Sequence, residues 1–121
     1  MDIKVVEEFD YMFKDTVCTH VRVWSNDKVE VQDFTDDYTM RAFGRWSDRV
    51  AVSDIEHLLE ERCFPKTRGN MKQLMADIGL DYYSPRAIIA KTHGVMVHDF
   101  FWIRYESEKD LTWDKVSEIL K

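Results

Sequence analysis

The sequence predicts an α+β domain on three observations. Alternating apolar residues are confined to the N-terminal part, helix-capping signals cluster between Ser53 and Gly94, and alternation returns at "HDFFWIRYE" before a last capped segment. The expected architecture is an N-terminal antiparallel hairpin or small sheet, a central three-helix cluster, one further strand and a C-terminal helix. The chain reads as a single domain over 1–121, with an acidic β-rich part at about 1–52, a helical cluster at about 53–93 and a strand plus helix at about 94–121.

The opening "IKVVEEF" fits a strand or a short helix. "VCTHVRVW" alternates Val17, Thr19, Val21 and Val23 with Cys18, His20, Arg22 and Trp24, the pattern of a strand with one buried face. "KVEVQDF" repeats that pattern after "SND". A hairpin turning around Ser25 to Asp27 follows, because Asn and Asp tolerate the positive φ of tight turns. "YTMRAFG" predicts a third strand, with Tyr38, Met40 and Ala42 on one side.

At "SDIE", Ser53 and Glu56 have the spacing of a capping box, so a first helix is expected from Asp54 to about Cys63. Pro65 ends it and Thr67 caps a second helix, in which Met71, Leu74, Met75 and Ile78 share one face. Gly79 supplies the left-handed residue after that helix, with Leu80 as the apolar residue that follows. "SPRAIIAKTHG" sets Ser84 as cap, Pro85 at the first helical position and Gly94 beyond the end of a third helix. In "HDFFWIRYE", Phe101, Ile103 and Tyr105 alternate with Phe100, Trp102 and Arg104, which predicts a strand covered at least partly on both faces. Thr112 then caps a closing helix with Trp113, Val116, Ile119 and Leu120 on its apolar side.

At 121 residues and 45% hydrophobic content, with four tryptophans and seven phenylalanines, the chain has the composition of a globular fold. Cys18 and Cys63 match no CxxC spacing, so reduced thiols are expected. The N-terminus is acidic where a secretory leader is basic, and no apolar run reaches the ~18 residues of a membrane span. A cytoplasmic protein without membrane contact is expected; its oligomeric state is not encoded in any pattern.

The formal charge of −6 is unevenly divided. Residues 1–61 hold 7 Lys/Arg and 15 Asp/Glu, residues 62–93 hold 6 and 2, and residues 94–121 hold 4 and 6. Three readings stand. The two halves are solvated faces that attract each other. Alternatively, Arg62, Lys66, Arg68 and Lys72 at the helix junction "RCFPKTRGN" grip phosphates as a nucleic-acid-binding regulator. Or Asp27, Glu30, Asp33, Asp36 and Asp37 form an acidic contact surface that imitates the phosphate spacing of DNA and docks in a protein's nucleic-acid groove.

No catalytic constellation emerges, and the chain is not expected to be an enzyme. His20, His57, His93 and His98 lack a His or Cys partner at helical ligand spacing, so neither a metal nor another cofactor is expected. His98 and Asp99 are neighbours that a strand would point to opposite faces. Ser53, Thr67 and Ser84 read as caps, and no GxSxG, Walker or GxGxxG sequence occurs. Helices two and three invite comparison with a helix-turn-helix, but "DYYSP" lengthens the turn. The aromatics Tyr82, Tyr83, Phe100, Phe101 and Trp102 suit a core better than a base-stacking platform.

Within residues 54–105, the series "FPKTRGN", "LMADIGLDYYSP", "KTHG" and "HDFFWIR" resembles short proteins carried on mobile elements and prophages of gut bacteria. More remotely it is similar to the N-terminal segment of HipA-like kinase-related proteins, where a proline-Ser/Thr-Arg stretch precedes a helix and a tryptophan-Ile strand follows. The nucleotide loop and catalytic motifs of a kinase are missing from the sequence. The resemblance implies an accessory protein of a mobile element, most concretely an anti-CRISPR-like inhibitor that binds a host nuclease or nucleoprotein complex through its acidic surface.

Overall fold

A computed structural model describes residues 2–63, 71–96 and 99–120, without the side chains of Met71, Leu74, Ile119 and Leu120. The expectations placed on Pro65, Lys66, Thr67, Arg68 and His98 fall outside the described residues. The fold is α+β, a four-stranded antiparallel sheet ordered β3-β2-β1-β4 with helices packed on it. The strands are β1 (Val5–Phe13), β2 (Thr16–Trp24), β3 (Val29–Asp33) and β4 (Phe101–Tyr105). The helices are α1 (Val52–Glu61), α2 (Met71–Asp77), α3 (Pro85–Thr92) and α4 (Trp113–Val116).

The first strands form a meander. β1 turns into β2 through Lys14 and Asp15, with Lys14 at φ 51°. β2 turns into β3 over Ser25–Lys28, and Asp27 adopts the positive φ, 67°. The hairpin therefore lies where the alternation and the Asn-Asp pair place it. The opening segment resolves as the strand β1, which is central because β4 returns to pair with its other edge.

Residues 38–44 depart from the predicted third strand. Tyr38–Met40 is a 3-10 turn whose start is capped by Asp37, which accepts from Thr39 N at 3.0 Å. A local carboxylate cap and the left-handed Gly44, φ 58°, outcompete the alternation of Tyr38, Met40 and Ala42. The segment is instead drawn back over β2, where Ala42 N donates to Thr19 Oγ1 at 3.1 Å.

Helices occur in the three central segments and in the closing one, with boundaries that differ from those expected. α1 starts two residues before the predicted first helical residue. Asp54, not Ser53, serves its N-terminus, accepting from Ala51 N at 2.8 Å. Gly79 has φ 77°, and Leu80 N reaches back to Met75 O at 2.8 Å, closing α2. α3 has Ser84 as cap and Pro85 in its first turn, but ends in a left-handed His93, φ 58°, before Gly94. Thr112 sits at the N-cap of α4 without a side-chain bond, and Asp15 from the β1–β2 turn caps it instead, accepting from Trp113 N at 2.8 Å.

Two cores lie on opposite faces of the sheet. On one, Phe9, Val21 and Ile103 meet Ile55, Leu58 and Leu59 of α1, Met75 of α2 and Ile88 and Ile89 of α3. On the other, Met12 and Trp102 meet Val116 of α4, bordered by Leu111 and Trp113. Trp102 is fully buried and its indole N–H donates to Lys14 O at 2.6 Å. Burying each large apolar side chain contributes roughly 1.5–3 kcal/mol, so both faces of β4 are anchored, in line with its two-sided sequence pattern. Among the described residues no helix is long and apolar enough to cross a membrane.

Candidate functional site

α4 covers only one end of its sheet face, and the rest of that face is charged. Strand register explains the arrangement. Glu8 pairs with Arg22 and Arg22 with Glu30; Asp10 pairs with His20 and with Arg104, and His20 with Gln32. Side chains alternate between faces along a strand, so these residues form two cross-strand rows on one surface. One row runs Gln32, His20, Asp10, Arg104. The other runs Glu30, Arg22, Glu8, and Glu106, the first residue after β4, brings its carboxylate to within 4.8 Å of Glu8.

His20 belongs to the first row and reaches across to the second. Its Nδ1 meets Asp10 Oδ1 at 2.5 Å and its Nε2 meets Glu8 Oε2 at 2.6 Å. Partial burial works against its charge, but the hydrogen bonds and charges of Asp10 and Glu8 outweigh that and raise its pKa above the usual imidazole value. Burial would raise Glu8, yet His20 and Arg22 prevail and hold it below the usual carboxylate range. Arg22 donates to the same Glu8 oxygen at 3.0 Å, and Arg104 donates to Asp10 at 3.3 Å. Asp10 itself is only 2% exposed. A shallow cleft of about 120 Å³ opens beside His20, lined also by Arg22, Glu30, Val31 and Gln32. Glu8, His20 and Glu106 bring one ligand atom each within 4.8 Å of one another, so these residues could hold a metal ion.

The sequence-derived acidic set divides. Asp27, Glu30, Asp36 and Asp37 are exposed. Asp33 is committed internally: it accepts from Thr19 Oγ1 at 2.9 Å and from Ser47, with Arg41 Nε 3.6 Å away, and so fastens the loop after β3 to the sheet. Beside the exposed carboxylates, the segment 34–46 carries the exposed aromatics Phe34, Tyr38 and Trp46. Arg45 lies 4.1 Å over Tyr38, and Arg49 lies 5.5 Å over Trp46.

The basic set also changes. Lys72 is exposed on α2, but Arg62 is 8% exposed and turned inward. It donates to Gly94 O at 2.9 Å, to both Asp99 oxygens at 2.9 Å and to Phe101 O at 2.7 Å. That fork ties the end of α1 to the connection between α3 and β4, which removes Arg62 from any phosphate-gripping set. Asp99 thereby has Arg62 as a structural partner. The sequence reading missed Glu8, Asp10, Arg104 and Glu106. Their signal was present as charged residues alternating with Phe9, Tyr11, Ile103 and Tyr105, but only the register brings them to His20.

The sheet edges differ as well. The outer edge of β4 is bonded from outside, by Ile103 N to His93 O at 2.7 Å and by Arg62 to Phe101 O. Among the described residues, no other element donates to or accepts from the outer backbone edge of β3, which pairs only with β2. Compared with protein-family models, curated proteins and solved structures, the chain gives no significant match.

Proposed function

We propose that the protein is a non-catalytic interaction module that binds a basic protein surface along β3, and that its partner is a nuclease or nucleoprotein complex of the host. The supporting observation is the β3 edge itself. An unpaired strand edge offers main-chain hydrogen bonds to an added segment. Glu30 lies on β3, Asp27 in the turn before it and Asp36 and Asp37 in the loop after it, all exposed, and Phe34, Tyr38 and Trp46 are exposed aromatics that follow β3. Aromatic anchors within a charged rim are the composition of binding hot spots. A groove built for nucleic acid has the complementary positive potential, which speeds docking and disfavours other partners. Inhibition follows from occupying that groove, the anti-CRISPR-like role inferred from the mobile-element context of the proteins that the sequence resembles.

The test is capture of the tagged protein's partner from bacterial lysate after nuclease treatment. Wild type should retain one nuclease or nucleoprotein complex, and the combined Asp27→Lys, Asp36→Lys and Asp37→Lys variant should lose it while keeping its circular dichroism spectrum. Asp33 is left intact because its reversal would detach the loop. Unchanged capture by the variant refutes the acidic surface. Recovery of nucleic acid alone, lost on digestion, would instead move the contact to Lys66, Arg68 and Lys72.

A further inference from the structure

We infer that Glu8, His20 and Glu106 form a binding site for a divalent transition-metal ion of the zinc type, independent of the β3 edge. The rows of the charged face explain why. Cations and anions alternate across them at Glu30, Arg22 and Glu8 and at His20, Asp10 and Arg104, until Glu106 follows Glu8 with no cation between. Two carboxylates thus sit side by side next to an imidazole, with ligand atoms within 4.8 Å. The only ion pair of Glu106 among the described residues is with Lys109, at 3.3 Å, both side chains about half exposed.

The imidazole is oriented for ligation. Asp10 Oδ1 receives Nδ1 of His20 and is itself fixed by Arg104, the second-sphere carboxylate that holds a metal-bound histidine in one tautomer. Nε2 is left facing Glu8. A metal ion at that point replaces the Nε2 hydrogen, which leaves as a proton, and Glu8 exchanges a hydrogen bond for a coordinate bond. Arg22 reaches the same Glu8 oxygen, but Glu30 lies 4.0 Å from its guanidinium and offers it an alternative anion. One imidazole nitrogen and two carboxylates suit zinc or a neighbouring first-row ion, with a fourth position open to solvent.

The experiment is titration of the full chain with zinc chloride, followed by calorimetry and by the thermal midpoint, for wild type, Glu106→Gln and His20→Gln. Glu106 is exposed, so its variant should melt as wild type does without metal, which keeps the test informative even if His20→Gln folds poorly. Wild type should bind one ion per chain with a midpoint that rises with zinc. Glu106→Gln should weaken binding at least as much as loss of a second-sphere partner does, roughly 10- to 100-fold. No binding by wild type at millimolar zinc, or equal binding by wild type and Glu106→Gln, overturns the site.

Discussion

Replacing Arg62 with Met should be among the most destabilising surface-neutral changes in this chain. The aliphatic stem is retained in volume, but four donated hydrogen bonds disappear. Two backbone oxygens, of Gly94 and Phe101, lose a donor, and the Asp99 carboxylate loses its bidentate partner. Removing one member of a buried ion pair costs about 3–5 kcal/mol. Asp99 is 33% exposed and can be rehydrated, which sets the expectation at the low end, about 3 kcal/mol. For a chain of this length that lowers the melting temperature by about 10–15 °C. In urea the midpoint should fall by more than about 1 M, given a slope of roughly 1–3 kcal/mol per molar. Arg62→Lys, which keeps the charge and loses the fork, should fall between. The double variant Arg62→Met, Asp99→Asn should recover about 1 kcal/mol by discharging the carboxylate that has lost its guanidinium. A loss below about 1 kcal/mol for Arg62→Met would refute the assignment of Arg62 as the link between α1 and β4.

Asp15→Ala removes the cap of α4 and should cost about 1 kcal/mol, read by urea unfolding; Asp15→Asn should restore most of it. Tyr11 should make the fold alkali-sensitive: burial pushes its phenol up to about 12, so its contribution is complete below pH 10 and is lost as pH rises through 12. The slope of stability against pH over that range should flatten in Tyr11→Phe. Both free thiols are buried, and burial pushes Cys63 up to about 12 and raises Cys18. Native protein at pH 8 should therefore react slowly with a thiol reagent and release two equivalents only in denaturant; fast labelling of either cysteine would contradict that burial.

The parts of the fold that could be read from the sequence are those specified locally. The alternation of Val17 to Trp24 and the turn at Asp27 are short-range, as are Ser84-Pro85 and Gly79-Leu80, and all four appear where expected. Residues 38–44 failed because alternation over a few residues is weaker than an aspartate bonding two residues ahead. Capping of α4 by Asp15 spans most of the chain and leaves no local trace. The charge count misled for a related reason. Counting Arg62 as a free cation ignores the long-range partner that burial demands, and counting Asp33 as a free anion ignores Thr19 and Ser47. Likewise helical spacing cannot reveal the grouping of His20 with Glu8 and Glu106, which come from β1 and from the turn that follows β4.

The contrast between the two sheet edges has a consequence for self-association. An open strand edge is a template for any extended chain, including the same strand of another molecule. Two copies meeting β3 to β3 would bring together eight exposed carboxylates, from Asp27, Glu30, Asp36 and Asp37 of each, whose repulsion salt screens over ~8 Å. The same charges proposed to attract a basic partner therefore repel a second copy. At high ionic strength or low pH that discrimination fades, and concentrated protein should begin to form sheet-extended dimers, visible as a rise in scattering mass.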